Sequence, residues 1–291
     1  MTVAEKLPPK AVFITGASSG IGEACAGRLH EEGFHVFAGI FPNESHGERL
    51  ERKTSGRLTP VFVDVTDVQS ISSAKETIER SVGGSGLSGL VNCAGVPGLG
   101  PVEFYPIEAA KRVFDVNFFG AMAVTQTFLP MLRRATGRIV NISSDGGLVS
   151  FPFGGPYCFS KFALEALSDS LRVELKPWGI SVSVIEPGNV ETDIWNRASA
   201  KVQNQAKDLP AEAYEMYLAV CDHWSRLKVQ GIPPDRVANA VLHALTSKRP
   251  KTRYVVGPDA RVVSFVAHLP DRIRDRIASR IVLSYEKPME G

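Results

Sequence analysis

Ser144, Tyr157 and Lys161 are the side chains of this sequence best placed to move a proton. Tyr157 and Lys161 stand four apart in a stretch with helical periodicity, so they project from one helix face. Ser144 follows a short apolar run that reads as a strand, which puts it at the sheet edge where ligands bind in doubly wound folds. A phenol with an ordinary pKa of about 10 is a poor acid or base near neutrality, but a neighbouring ammonium favours its phenolate. Lys161 supplies that ammonium, and the set would exchange a proton with a hydroxyl or carbonyl oxygen. Each residue alone also fits an ordinary place, Tyr and Lys on an amphipathic surface and Ser in a turn or cap.

A second cluster, Thr15-Gly16-Ala17-Ser18-Ser19-Gly20-Ile21-Gly22, follows the first apolar run and opens a helical pattern. Strand, glycine turn and helix N-terminus make a phosphate site, because unpaired N–H groups and the positive end of the helix dipole face the anion. Gly16 permits the tight turn, Gly20 lets the backbone approach a pyrophosphate, and Gly22 permits close helix packing. The spacing is G-x-x-x-G-x-G, different from G-x-G-x-x-G, and by itself such a cluster also fits an ordinary turn.

The elements that must position these residues follow a βαβ alternation. Short β-branched runs near 11–15, 35–39, 58–63, 87–92, 137–142, 180–185 and 253–256 read as seven strands buried on both faces. Helical patterns at 20–32, 68–81, 107–134, 157–176 and 234–245 fill the gaps, with Gly33 and Gly179 where a helix would end. The fold class expected is α/β, a Rossmann-type doubly wound parallel seven-stranded sheet with helices on both faces and a C-terminal substrate-covering extension. A single domain, 1–291, is expected, with a substrate-binding insertion at 190–231 and the extension at 258–291. In the extension, apolar residues alternate with Arg272, Arg274, Arg276 and Arg280. That pattern reads first as a pocket cover or subunit contact and second as a peripheral contact with a membrane surface.

Composition narrows the classes. The 291 residues are 44% hydrophobic and 22% charged, with a mean hydropathy of -0.02, a globular balance and not a disordered or fibrous one. No apolar run approaches the about 18 residues of a spanning helix. Thirty-three basic against thirty-one acidic side chains leave +2, which gives no field to attract nucleic acid. Cys25, Cys93, Cys158 and Cys221 form no C-x-x-C pair, so neither a metal site nor a disulfide framework is expected. The first ten residues lack the basic-then-apolar order of a secretory signal, and a cytoplasmic location is expected.

From Ala11 to about Thr192 the chain resembles the short-chain dehydrogenase/reductase family. Gly16-x3-Gly20-x-Gly22 resembles its dinucleotide turn, Asp64-Val65 its adenine-contacting pair, and Pro187-Gly188-x3-Thr192 the motif that cradles a nicotinamide. Asn92-Cys93-Ala94-Gly95 resembles its N-N-A-G motif, with Cys93 in place of the second Asn. Asn117, Ser144, Tyr157 and Lys161 match its catalytic tetrad. The resemblance implies a reversible alcohol and carbonyl interconversion in which Tyr157 exchanges the hydroxyl proton and Ser144 hydrogen-bonds the carbonyl oxygen. Lys161 would bind the nicotinamide ribose and lower the Tyr157 pKa, and Asn117 would hold a relay water. It also implies that the cofactor lies against Gly16, Ser18, Ser19, Gly20, Ile21, Gly22, Asp64, Val65, Asn92, Ala94, Gly95, Tyr157, Lys161, Pro187, Gly188, Val190 and Thr192. The two long helices would pack against a second subunit, giving a homodimer or homotetramer.

The second strand ends Ala38-Gly39-Ile40-Phe41, with no acid at Gly39 for a ribose 2′-OH and no Arg or Lys at Ile40 or Phe41 for a 2′-phosphate. His46 and Arg49 are the nearest positive candidates. The branch resembled most, that of retinol, hydroxysteroid and 3-hydroxybutyrate dehydrogenases, leans to NAD without that acid, so NAD is expected ahead of NADP. Tyr157-Cys158-x-Ser160-Lys161-Phe162, His243-Ala244-Leu245-Thr246 and Thr252-Arg253-Tyr254 carry this finer resemblance. By position, Val96, Pro97, Phe151, Phe153, Trp195, Tyr214 and Tyr217 join Ser144 and Tyr157 as substrate-pocket candidates. They favour a bulky apolar alcohol or ketone such as a steroid or retinoid over a small hydroxy acid needing an Arg clamp. The aromatics equally fit packing of the insertion on the sheet. A 3-oxoacyl or short hydroxy-acid dehydrogenase is the alternative among enzymes, and a non-catalytic dinucleotide-binding protein the alternative outside them.

Overall fold

A computed structural model describes residues 10–42, 56–192, 210 and 231–282. Seven strands, β1 (Ala11–Ile14), β2 (His35–Ile40), β3 (Leu58–Phe62), β4 (Gly89–Asn92), β5 (Arg138–Ile142), β6 (Ser181–Pro187) and β7 (Arg253–Val256), form one sheet in the order β3-β2-β1-β4-β5-β6-β7. Every pairing is parallel. Parallel neighbours need crossovers, and among the described residues the helices that supply them are α1 (Gly20–Glu31), α2 (Val68–Val82), α3 (Ile107–Phe114), α4 (Ala121–Ala135), α5 (Gly155–Glu174) and α6 (Pro234–Thr246). The extension forms α7 (Pro258–Val266) and α8 (Asp271–Val282).

Alternation along the strands sends successive side chains to opposite faces, so two cores form. Val12, Ile14, Val36 and Val140 pack on one face with Leu29 of α1 and Val241 of α6. Phe13, Phe37 and Leu90 pack on the other with Ile78 of α2 and Phe128 and Leu132 of α4. The Phe13 and Phe128 rings lie 4.8 Å apart and are fully buried, each worth about 1.5–3 kcal/mol of burial. Among the described residues no helix is long and apolar enough to cross a membrane.

The stretch read as one helix over 107–134 is divided. Between α3 and α4 the backbone makes a π-helical turn, Asp115–Gly120, that carries Asn117. The wider turn inserts an extra residue into the helical ladder, a feature often found at functional sites. The chain reverses direction across the sheet at β1, which has β2 on one side and β4 on the other. The loops after β1 and β4 therefore splay apart at the C-terminal edge and open a crevice.

Candidate active site

That crevice is a cleft of about 970 Å³. Its walls contain Gly16, Ser18, Ser19, Gly20, Ile21 and Gly22 from the first loop, Asp64 and Val65 after β3, and Ala94 and Gly95 after β4. Ser144, Tyr157, Lys161, Pro187, Gly188, Val190 and Thr192 complete the set brought together from the sequence. Val96 and Pro97 line it too, as do Phe41, Thr66, Arg112, Asp115 and Val116, the last four of which no motif marks in the sequence.

The glycine turn is shaped for close approach. Gly16 has φ +65, and a Cβ there would sit 2.8 Å from the Ala94 Cα; at Gly22 it would sit 2.1 Å from the Gly16 carbonyl oxygen. Thr15 ties the two loops, its Oγ1 accepting from the Cys93 and Ala94 N–H groups at 3.1 Å each. Ser19 occupies the N-cap of α1 in an extended conformation without a side-chain cap bond. The helix thus presents its first-turn amides uncapped by a side chain, the donor set that suits a phosphate. The donors and the glycine cradle fit a dinucleotide.

At the far end of β2, Gly39 has no room for an acid, since a Cβ would meet the Ile14 carbonyl oxygen at 2.8 Å. Its own carbonyl accepts from the Ala17 N–H at 2.8 Å, tying the strand end to the glycine turn. His46 and Arg49 lie outside the described residues, as do Trp195, Tyr214 and Tyr217.

Ser144 Oγ donates to Asp145 Oδ1 at 2.9 Å, accepts from the Gly146 N–H at 3.1 Å, and hydrogen-bonds Tyr157. Lys161, 5% exposed, donates from Nζ to the Ile142 carbonyl at 2.8 Å and stands 5.7 Å from the Tyr157 ring centre. Burial drives the Tyr157 phenol well above its ordinary value; the Ser144 hydrogen bond opposes this and the charge of Asp145 adds to it. Burial is thus the dominant influence on this phenol, and the Ser144 hydrogen bond is the leading one that lowers it. Burial takes Lys161 itself down to about 8.

Asn117 is largely committed within the protein, and two other expectations, for Asn92 and for the Phe151 and Phe153 pair, change. Asn117 has no side-chain hydrogen left for a water: Nδ2 donates to the Val96 carbonyl and to Ser160 Oγ, both at 3.0 Å, and Oδ1 accepts from the Val96 N–H at 2.8 Å. It clamps the loop after β4 to the π turn. Asn92 does not line the cleft but is buried beneath it, donating to Thr125 Oγ1 at 3.0 Å and Asn141 Oδ1 at 2.8 Å, so it ties α4, β4 and β5. Phe151 and Phe153 stay out of the cleft lining. The Phe151 ring folds over its own loop, so close that a Cβ on Gly154 would meet it at 1.9 Å, and Phe153 takes φ +65 while its carbonyl accepts from the Gly100 N–H at 2.7 Å.

The extension reaches the site differently from a cover. None of its described residues lines the cleft, but Asp259 on α7 accepts from the Asn189 backbone N–H at 2.7 Å and from Asn189 Nδ2 at 3.0 Å. It lies so near Gly188 that a Cβ there would approach its carboxyl within 2.4 Å. The two ends of the insertion are joined by a parallel bridge between Val190 and Ile232. Among the described residues no group of three or more His, Cys, Asp or Glu side chains could hold a metal.

Comparison with known proteins sets this geometry beside others. The short chain dehydrogenase family model matches residues 10–203. The 17-beta-hydroxysteroid dehydrogenase type 6 of Bos taurus is 39% identical, over 99% of this chain and 93% of its own. Retinol dehydrogenase 16 of Rattus norvegicus is 39% identical, over 94% and 89%. The crystal structure of a short-chain dehydrogenase from Streptomyces avermitilis has a TM-score of 0.75 and 28% identity, covering 96% of this chain and 98% of that one.

Proposed function

This chain belongs to the short-chain dehydrogenase family and is an oxidoreductase acting on CH–OH groups, and we propose that its substrate is a bulky apolar alcohol or ketone, of steroid or retinoid type, turned over with NAD in preference to NADP. The observation that carries the reading is the presence of Ser144, Tyr157 and Lys161 in the same cleft as the glycine turn. The named relatives act as hydroxysteroid and retinol dehydrogenases, which supports the substrate class.

The dinucleotide, when bound, supplies the hydride acceptor or donor. Gly16 to Gly22 would hold its phosphates, Asp64 and Val65 its adenine end, and Pro187 to Thr192 its nicotinamide end. Tyr157 takes the hydroxyl proton at its phenol oxygen during oxidation and returns it during reduction. Ser144 orients that phenol and the reacting oxygen, and the Lys161 ammonium favours the phenolate once the site is loaded. Ile40 and Phe41 carry no cation for a 2′-phosphate, which supports NAD. A second reading, a short hydroxy-acid or 3-oxoacyl dehydrogenase, is favoured by Arg112, a cation in the cleft wall.

Ile107, Phe119, Phe159 and Phe162 leave apolar side chains exposed on and between the two long helical stretches, which supports a homo-oligomer; a monomer by light scattering refutes that part. The deciding experiment is nicotinamide absorbance with NAD and NADP over steroid, retinoid and 3-hydroxybutyrate-type alcohols, with Tyr157→Phe as control. Turnover of the bulky alcohols, reduced at least about 100-fold in the control, is expected. Full turnover by Tyr157→Phe sinks the mechanism, and turnover of the hydroxy acids alone moves the assignment to the second reading.

A further inference from the structure

Lys161 is a cation in surroundings that do not suit one. A buried ammonium needs a counter-charge. Around it stand Tyr157 and Glu165 on its own helix α5, the Ile142 carbonyl on β5 and Cys93 on the loop after β4. Burial pushes the Cys93 thiol up to about 12, so near neutrality it is uncharged and Glu165 remains as the nearby anion.

Glu165 lies one turn beyond Lys161 on the buried face of α5, 6% exposed and outside the cleft lining. Burial holds its carboxyl above the ordinary value and the Glu186 charge adds to this, while Ser143 and Arg253 oppose the rise and favour its charge. Arg253, on β7, donates from one nitrogen to Glu165 and to Glu186 of β6, the latter at 2.7 Å, and from the other to Asp169 of α5 at 2.8 Å. Glu186 is 1% exposed. Two buried carboxylates therefore share one guanidinium nitrogen, which has a hydrogen for each, and of the two only Glu165 stands one helical turn from Lys161.

We infer that Glu165, kept ionised by Arg253, is a positioning residue that holds Lys161 in its ammonium form, so that strand β7 governs the catalytic pair from outside the cleft. The inference rests on the reading of Tyr157 and Lys161 given above. With Lys161 already lowered to about 8 by burial, loss of the Glu165 charge takes it lower still, into the range where it is neutral at working pH. A neutral amine no longer favours phenolate, and Tyr157 yields its proton only at higher pH.

The test is the pH profile of kcat/KM for alcohol oxidation at saturating cofactor in wild type, Glu165→Gln, Glu165→Asp and Glu186→Gln, with Tyr157→Phe alongside. Glu165→Gln should move the acid limb upward by about one pH unit, a loss of about 10-fold below the limb that is recovered above it. Glu165→Asp should restore the limb. Glu186→Gln, which removes the neighbouring negative charge that opposes ionisation of Glu165, should not move it upward, because Glu165 keeps its own bond to Arg253. Side-chain NMR titration of Lys161 in the cofactor-free protein should show deprotonation at lower pH in Glu165→Gln than in wild type. Equal melting losses in the two Gln variants with an unmoved limb would mean a purely structural network and overturn the inference. Should Glu165→Gln fail to fold, an upward limb in Glu186→Gln overturns it equally. Retained turnover in Tyr157→Phe would instead remove the site reading, and the inference with it.

Discussion

Asp145 holds the hydroxyl proton of Ser144, and its own position is costly. Burial pushes its carboxyl from 3.8 up to about 6, the Ser144 hydrogen bond opposing and the Asp259 charge adding to the rise. Below about 3.8 the group is protonated in folded and unfolded chains alike; between there and about 6 only the folded chain keeps the proton. Stability is therefore lost as pH rises through that window and stays lost above it. Asp145→Asn, which keeps an acceptor for Ser144, should match wild type below about pH 3 and exceed it by up to about 3 kcal/mol above about pH 7. Denaturant titrations at the two pH values check this, and a difference independent of pH would refute it. Ser144, Tyr157, Lys161 and the glycines are legible in the sequence because their types and spacings mark them. Asp145, Glu165 and Asp259 are not, since an acid after a serine or one turn beyond a lysine looks like surface until the sheet order brings β7 beside β6.

At the scale of elements, the seven strands and the crossover helices are where apolar runs and glycine stops place them, within two residues at nearly every end. The π turn at Asp115–Gly120 is the exception that matters for the site. One extra residue in a turn shifts the apolar phase too little to interrupt a helical pattern, so the stretch reads as continuous. The family and its retinol and hydroxysteroid branch, resembled through ordered motifs, are borne out by the relatives. The junction of β1 and α1 offers its own test. Gly22→Ala would drive a methyl against the Gly16 carbonyl, so the turn and the helix must separate. A loss of dinucleotide affinity of at least about 10-fold is expected, with destabilisation of about 1–3 kcal/mol, by calorimetric titration and melting. Unchanged affinity would show that the packing of this turn does not shape the binding site.

Across the whole molecule, the sheet edge and the extension act on the site from a distance in sequence. Asp259, 70 residues beyond Asn189, fastens the segment that follows β6. Asp259→Ala should leave the sheet folded yet weaken dinucleotide binding by about 5- to 20-fold, because the Asn189 N–H loses its acceptor and the segment loosens. Equal affinity by calorimetry would separate the extension from the site. The clasp also sets an order of assembly during synthesis. Residues 11–187 carry six of the seven strands and can begin to collapse before α6, β7 and α7 have emerged from the ribosome. The segment after β6 is fastened only after Asp259 emerges, so a nascent chain stalled before that point would be a nearly complete sheet with one wall of its cleft still unclasped.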